Sequence, residues 1–180
     1  MRVIVVDDER MSAEVLEQSI RKIIGEDAKY NIYNDPVLTD GHRMPHKINV
    51  RCFGKFEVFR GEIPIKFSRS KAKELLAYLI AARGSAVTSG ELCGILWDDA
   101  TDIERKKTYL RQYASSLRAG LKAVDAEDVF IHNRDSYSVN IALINCDYYS
   151  YLRGNTMTVR YTGEFMSQYS WAEEIGAQLQ

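Results

Sequence analysis

The chain has 180 residues, of which 46% are hydrophobic and 27% are charged, the composition of a folded protein rather than of a disordered one. No apolar run is long enough to span a membrane, and no basic-then-apolar leader opens the chain, because Asp7, Asp8 and Glu9 interrupt the first apolar run. The three cysteines are far apart in sequence and form no CxxC pair, which argues against a disulfide framework or a zinc site. We therefore expect a reduced, cytoplasmic protein without a membrane partner.

The formal net charge of −1 is unevenly distributed. Residues 1–46 carry six Lys and Arg against nine Asp and Glu, residues 47–160 carry eighteen against thirteen, and residues 161–180 carry none against three. The middle of the chain is therefore mildly basic between two acidic ends. This excess is compatible with nucleic-acid binding but is too small to indicate it alone.

The first 40 residues have a β-α-β pattern. Residues 2–6, RVIVV, predict a buried strand that ends at acidic residues. Apolar residues at helical spacing predict a helix over 13–24, and residues 29–33 predict a second strand. The turn-forming residues that follow predict a linker over 41–47.

The opening MRVIVVDDERMSAEVLEQSI resembles the start of a response-regulator receiver domain. In that family an acidic pair after the first strand holds Mg²⁺ beside a phosphoryl-accepting Asp, and the resemblance places the pair at Asp7 and Asp8. The alternative is a solvated carboxylate pair without a metal. Asp35 precedes Pro36 in a predicted turn, and no later strand ends in an acceptor Asp. We expect an incomplete receiver with no phosphoacceptor and no required cofactor, which phosphodonors do not switch.

Residues 48–146 have the pattern of a small α+β domain. Ser68 to Ser70 are the candidate caps of its first helix and Ser89 of its second. The predicted elements are, in order, a strand over 50–59, a hairpin turn at 60–62, a strand over 63–67, a helix over 70–84, a helix over 90–97, a long helix over 102–121 and a hairpin over 129–141.

The long helix, DIERKKTYLRQYASSLRAGL, has two different faces. Apolar residues from Leu110 to Leu121 recur at steps of three and four and form one apolar stripe. The other face carries basic and hydrogen-bonding side chains, which can contact phosphates and base edges. An ordinary solvated surface helix is the alternative for this stretch alone. Arg118 is expected near the packed flank, where it could pair with an acid.

Taken together, these elements resemble the winged helix-turn-helix domain of OmpR/PhoB-type regulators, especially the version in SARP-like bacterial regulators. The matching stretches are FGKFEVFRGEIPIKF, SRSKAKELLAYLIAARGSAVTSGELCGILW, YLRQYASSLRAGL and VFIHNRDSYSVNI. The resemblance implies a three-helix core, a leading antiparallel sheet and a wing hairpin, with the long helix in the DNA major groove. The implied DNA-binding residues are Arg105, Lys106, Lys107, Thr108, Arg111, Gln112, Ser115, Arg134, Ser136, Arg69 and Lys71, with Ser68 and Ser70 equally explained by capping.

Residues 147–180 are predicted to form a helical tail. Its pattern Tyr161-x-Gly163-Glu164-Phe165, followed by Trp171, resembles the opening of the activation domain of SARP-like regulators, which makes RNA polymerase a candidate partner. The tail also contains several tyrosines. These rings are predicted to pack onto the preceding domain rather than to stack with bases.

The function expected from these features is that of a bacterial, sequence-specific DNA-binding transcription regulator of the two-component response-regulator type. Double-stranded DNA is the expected partner, and pairing through the β-α-β unit makes a homodimer a candidate state. The sequence has no Gly-rich phosphate loop, nucleophile elbow or metal-ligand cluster, so an enzyme is not expected. The alternative is a regulatory or interaction module that pairs with a full-length relative and binds DNA weakly or not at all.

Overall fold

The computed structural model describes residues 47–97, 102–154 and 160–179. The β-α-β unit predicted over 1–40, the linker up to residue 46, the acidic pair Asp7 and Asp8, and Asp35 lie outside the described residues. The described chain has an α+β fold with a mixed sheet, a second small sheet and five α-helices among the described residues.

The first sheet has four strands, which are β1 (Ile48–Arg51), β2 (Glu57–Arg60), β3 (Ile63–Pro64) and β7 (Ile144–Cys146). Their order in the sheet is β3-β2-β1-β7. Val50 lies opposite Val58 in the antiparallel pair β1–β2, and opposite Cys146 in the parallel pair β1–β7. The predicted leading antiparallel sheet is therefore corrected to a mixed sheet, because a late strand joins β1 in the same direction.

The predicted strand over 63–67 is shorter than expected. Only Ile63–Pro64 pairs with β2, because Pro64 has no backbone N–H to donate and the ladder cannot continue regularly through it. The Ile65 N–H still donates to the carbonyl of Val58 at 2.8 Å, so the chain stays beside the sheet for one more residue.

The helices and the second sheet follow in the predicted order. These elements are α1 (Ser70–Ala81), β4 (Val87–Thr88), α2 (Ser89–Leu96), α3 (Ile103–Lys122), β5 (Phe130–His132) and β6 (Ser136–Val139). The second sheet has the order β4-β6-β5, in which the predicted hairpin is joined by the short strand that precedes the second helix.

The two predicted serine caps are both wrong. Arg69 holds the N-cap position of α1 and makes no side-chain cap bond, while the Ser68 hydroxyl is 2.7 Å from the hydroxyl of Ser116 on α3. Thr88 caps α2, because its hydroxyl accepts from the Glu91 N–H while the Glu91 carboxylate accepts from the Thr88 N–H. Ser89 is the first residue of that helix and is buried.

One continuous core joins both sheets to the three helices. The apolar side of α1 supplies its centre, where Leu75, Leu76 and Leu79 are fully buried. Gly84, with φ at +80°, reverses the chain after α1, and a Cβ there would lie 3.0 Å from the Ile141 side chain. A residue other than Gly would therefore be both strained and crowded at this turn.

The tail extends this core. It contains α4 (Asp147–Leu152) and α5 (Ala172–Ala177), with irregular chain before α5. Phe165 forms a β-bridge with Phe53, and the Met166 N–H donates to the Cys52 carbonyl at 2.8 Å. The Tyr149 hydroxyl donates to the Ile80 carbonyl at 2.7 Å. The prediction that the tail rings pack onto the preceding domain is confirmed for Tyr149. None of the described helices is both long and apolar enough to cross a membrane.

Candidate nucleic-acid interface

Helix α3 is held rigidly along one side. Leu110, Leu117 and Leu121 are fully buried, as the predicted apolar stripe requires. At the amino end Asp102 adopts a left-handed conformation, with φ at 45°, and its carboxylate accepts from the Arg105 N–H at 3.0 Å. The Tyr113 ring stacks on Trp97 with a centroid distance of 5.8 Å, which ties α3 to the end of α2.

The opposite side of α3 is free for a ligand. Arg111, Gln112 and Ser115 are exposed and make no hydrogen bond or ion pair with the part of the chain that the structure describes. The helix carries six basic residues against one acidic residue, Glu104. At Arg111, Gln112 and Ser115 this face therefore presents positive charge together with donors and acceptors that no group of the described chain uses.

Three further predicted residues of α3 are exposed or half-buried but already engaged. The Arg105 Nε donates to the Tyr109 hydroxyl at 3.0 Å, and this bond raises the pKa of the guanidinium above its ordinary value. Lys107 forms an ion pair with Glu104 at 3.1 Å, which in solvent contributes little and breaks readily. The Thr108 hydroxyl donates to the Glu104 carbonyl at 3.0 Å. All three can exchange these local bonds for contacts with a ligand.

Lys106 does not belong to this face. Its exposed fraction is 8%, so the expectation that it contacts DNA is corrected. The reason is helical geometry, since Lys106 precedes the buried Leu110 by four residues and so lies on the same side of the helix. Burial raises the pKa of the Cys93 thiol in α2, and the positive charge of Lys106 opposes that rise.

Arg69 and Lys71 flank the start of α1, next to α3. The Arg69 guanidinium lies 5.8 Å from the centre of the Tyr113 ring, and the side chain remains exposed. Lys71 instead donates to the Leu96 carbonyl at 2.7 Å and pairs with Glu74 at 2.9 Å. Lys71 thus has a structural role at the end of α2, and Arg69 is the better placed of the two for a phosphate.

The hairpin β5–β6 stands beside α3. Arg134 is exposed in its turn, whereas Ser136 is half-buried where β6 pairs with Thr88. Arg118 of α3 lies over the Phe130 ring at 5.7 Å, a cation–π contact, and among the described residues it has no acidic partner of the kind suggested by its place near the packed flank. Burial raises the pKa of Tyr137, and a hydrogen bond with Ser89 and the positive charge of Arg111 oppose that rise.

Two contacts at this site were missed by sequence reasoning. Tyr109 follows Arg105 by four residues, so the spacing could have identified it as the group that orients this guanidinium. The bond between Ser68 and Ser116 joins residues 48 positions apart, and no local pattern reveals such a pair. Both contacts fix the relative position of the side chains around the exposed face of α3.

Comparison with known proteins supports the fold. No protein-family model matches the chain, and no curated protein matches it. A solved structure of Mycobacterium tuberculosis EmbR in complex with a low-affinity phosphopeptide is similar to it, with a TM-score of 0.58 and 16% sequence identity. The similarity covers 74% of this chain and 41% of the EmbR chain. At this identity the likeness shows a shared fold, and the phosphopeptide is a ligand of EmbR.

Proposed function

We propose that this chain is a DNA-binding transcription regulator of the winged helix-turn-helix class, related to two-component response regulators. The observation that carries the proposal is the exposed set Arg111, Gln112 and Ser115 on a helix whose other side is locked into the core. Such a helix can enter the major groove without loss of core packing, and Arg and Gln can each make paired hydrogen bonds to a base edge. A fold shared with EmbR and the adjacent hairpin support the same arrangement.

Each candidate residue has a role that follows from its position. Arg111, Gln112 and Ser115 contact base edges or phosphates in the groove. Residues near the amino end of α3 contact the phosphate backbone. The hairpin and the start of α1 reach the flanking backbone. The residues proposed for the backbone are Arg105, Lys107, Thr108, Arg134, Ser136 and Arg69.

The tail indicates a second partner, and the amino-terminal residues bear on how the protein is regulated. The resemblance of the Tyr161 to Trp171 stretch to an activation-domain opening makes RNA polymerase the proposed second partner. The incomplete receiver supports regulation that does not depend on phosphorylation. Within the described residues the site offers positive charge and hydrogen-bonding groups to a ligand. We therefore propose a binding protein rather than an enzyme.

Fluorescence anisotropy with labelled duplex DNA tests the proposal. A site is first selected from random duplexes with the full chain, and binding to that site is then measured at increasing salt. We expect affinity to fall steeply with salt, because bound phosphates release counterions. Negligible binding at every salt concentration would instead support a regulatory module that pairs with a relative.

A variant pair then locates the contact. Arg111→Ala is expected to weaken binding to the selected site by about 1–3 kcal/mol and to relax sequence preference at one position. Lys55→Ala removes the same charge from an exposed position between β1 and β2 and serves as the matched control. Equal affinities for the two variants would contradict the assignment of α3 as the recognition helix.

A further inference from the structure

Two cysteines far apart in sequence meet inside the first sheet. Cys146 ends β7, directly opposite Val50 of β1, and Cys52 follows β1 by one residue. Their Sγ atoms are 3.2 Å apart across a sequence separation of 94. Cys52 is 0% exposed and Cys146 is 3% exposed, so both sulfurs lie in the core at the edge where β7 joins the sheet. Both thiols are free in the structure, and their wide separation in the sequence gave no sign that the two side chains are neighbours.

The carboxylate of Asp147 fixes the backbone around the two thiols. Its Oδ1 accepts from the N–H groups of Cys52 and Tyr148, each at 2.7 Å, and its Oδ2 accepts from the Phe53 N–H at 3.0 Å. Three backbone donors therefore hold the end of β1 against the start of α4. This arrangement keeps Cys52 and Cys146 side by side, and rigid placement of two thiols is what an intramolecular disulfide requires.

The same three residues are the one group of potential metal ligands found among the described residues. A structural zinc site needs four donors in a tetrahedron. Here no fourth Cys, His, Asp or Glu of the described chain joins the group, and the Asp147 carboxylate is already occupied by three N–H donors. A bond between the two sulfurs fits this environment better than a metal ion does.

We propose that Cys52 and Cys146 are a dithiol that a peroxide oxidises to an intramolecular disulfide. One thiol loses its proton and its thiolate attacks a peroxide oxygen, so that the O–O bond breaks and the sulfur becomes a sulfenic acid. The hydroxide that leaves takes up the proton lost from the thiol and becomes the first water. The second sulfur then attacks the sulfenic sulfur, the S–S bond forms, and the hydroxyl departs with a proton as a second water. Two thiols lose two hydrogen atoms in total, and one hydrogen peroxide is reduced to two waters.

The position of each sulfur sets the order of these steps. Cys146 lies on a three-residue edge strand, which opens more easily than the centre of a sheet, so its sulfur reaches the oxidant first. Burial raises the pKa of Cys52 well above its ordinary value, and the neighbouring Cys146 and Asp147 add to the rise. We assign Cys52, which follows the interior strand β1, as the resolving thiol. The third cysteine, Cys93, lies in α2 and takes no part.

The disulfide would join the end of β1 to the junction of β7 and α4. The closed loop contains α1, α2, α3 and the hairpin, so the link restricts the unfolded chain over most of the described domain. We expect oxidation to raise the thermal unfolding midpoint and the urea midpoint. Since no residue proposed to contact DNA changes, this inference stands or falls separately from the proposed function.

Peroxide treatment of the native full chain, followed by acid quench, denaturation and alkylation of free thiols, tests the proposal. Intact mass should show one alkylated thiol instead of three and the loss of two hydrogen atoms, and peptide mapping should join Cys52 to Cys146. Cys93→Ser is the control and should still form the link, whereas Cys146→Ser should not gain stability on oxidation. Three alkylated thiols after treatment, links through Cys93, or one tightly bound zinc ion in the untreated protein would each overturn it.

Discussion

Lys106 and Lys107 are sequence neighbours with opposite environments on α3. The helix turns by roughly 100° per residue, so one side chain lies on the core side with Leu110 and the other lies toward solvent. A long aliphatic stem allows a lysine to fill space between helices while its charge remains satisfied elsewhere. For this reason two substitutions that remove the same charge are expected to have different consequences.

Lys106→Ala should reduce stability and leave DNA contact intact. Loss of the buried stem is expected to lower the free energy of unfolding by about 1–3 kcal/mol, measured by urea unfolding. Lys107→Ala is the matched control and should unfold like the wild type while it weakens binding on all duplex sequences alike. A Lys106→Ala protein of unchanged stability with weakened DNA binding would reverse the assignment of the two residues.

The capping box of α2 should make stability depend on pH. The bonds from the Thr88 backbone and hydroxyl lower the pKa of Glu91 below its ordinary value. A carboxyl group with a lowered folded pKa adds stability above its unfolded pKa and loses it as pH falls through the folded value. Protonation of Glu91 therefore removes part of the cap in acid.

Thr88→Ala is expected to cost about 1 kcal/mol at neutral pH. The difference from the wild type should shrink as the pH falls below about 4, where free Glu begins to protonate. Urea unfolding of both proteins between neutral and acidic pH measures this. Ser89→Ala, at the residue predicted from sequence to be the cap, is the comparison. A larger pH-dependent loss in Ser89→Ala would place the cap there instead.

At the scale of whole elements, the tail supplies hydrogen-bond partners to the chain beside the first sheet. Gln168 gives the clearest connection, because its Oε1 accepts from the Phe56 N–H at 2.8 Å and its Nε2 donates to the Phe56 carbonyl at 3.1 Å. One side chain thus satisfies both backbone groups of a residue whose ring is fully buried. The tail therefore substitutes for a neighbouring strand at this point.

Gln168→Ala is expected to destabilise the protein by about 1–3 kcal/mol, because it leaves two partly buried backbone groups without partners. Gln178→Ala removes the same side chain from an exposed position after α5 and should change stability little. Hydrogen exchange of the Phe56 amide supplies a local readout and should accelerate in Gln168→Ala alone. Unchanged exchange at Phe56 would show that the tail does not protect the sheet.

The elements whose signals are local could be predicted from the sequence. The spacing of Leu110, Leu117 and Leu121 gave the correct face of α3, and the turn at Gly61 is where expected. Contacts between distant residues could not be predicted. The pairing of β7 with β1 depends on the path of the whole domain, and the sequence contains no periodic sign of it. Most of the exposed residues of α3 could be predicted from the sequence. The burial of Lys106 could not, because it depends on how the helix is rotated against the core.

At the scale of the whole molecule, the amino-terminal residues are predicted to have a partner. The sequence predicts two strands and one helix over residues 1–40, and a unit of about 40 residues is near the lower limit for an independent core. Val15, Leu16 and Ile20 belong to the predicted apolar side of its helix, and the sheet edges would also be uncovered. The same unit from a second chain could cover these surfaces around a two-fold axis.

We therefore expect the full chain to be a dimer and a version that starts at His46 to be a monomer. Light scattering at matched concentrations measures both masses, and a concentration series separates dimerisation from aggregation. Dimerisation would also bring two recognition helices to one duplex. The shorter version should therefore bind DNA with two half-sites more weakly than the full chain does. Its affinity for a single half-site should be unchanged. Monomers of both versions would remove the dimer from the proposal. If the full chain is a dimer but binds paired half-sites no more tightly than the shorter version does, the chain associates, but this association has no role in DNA binding.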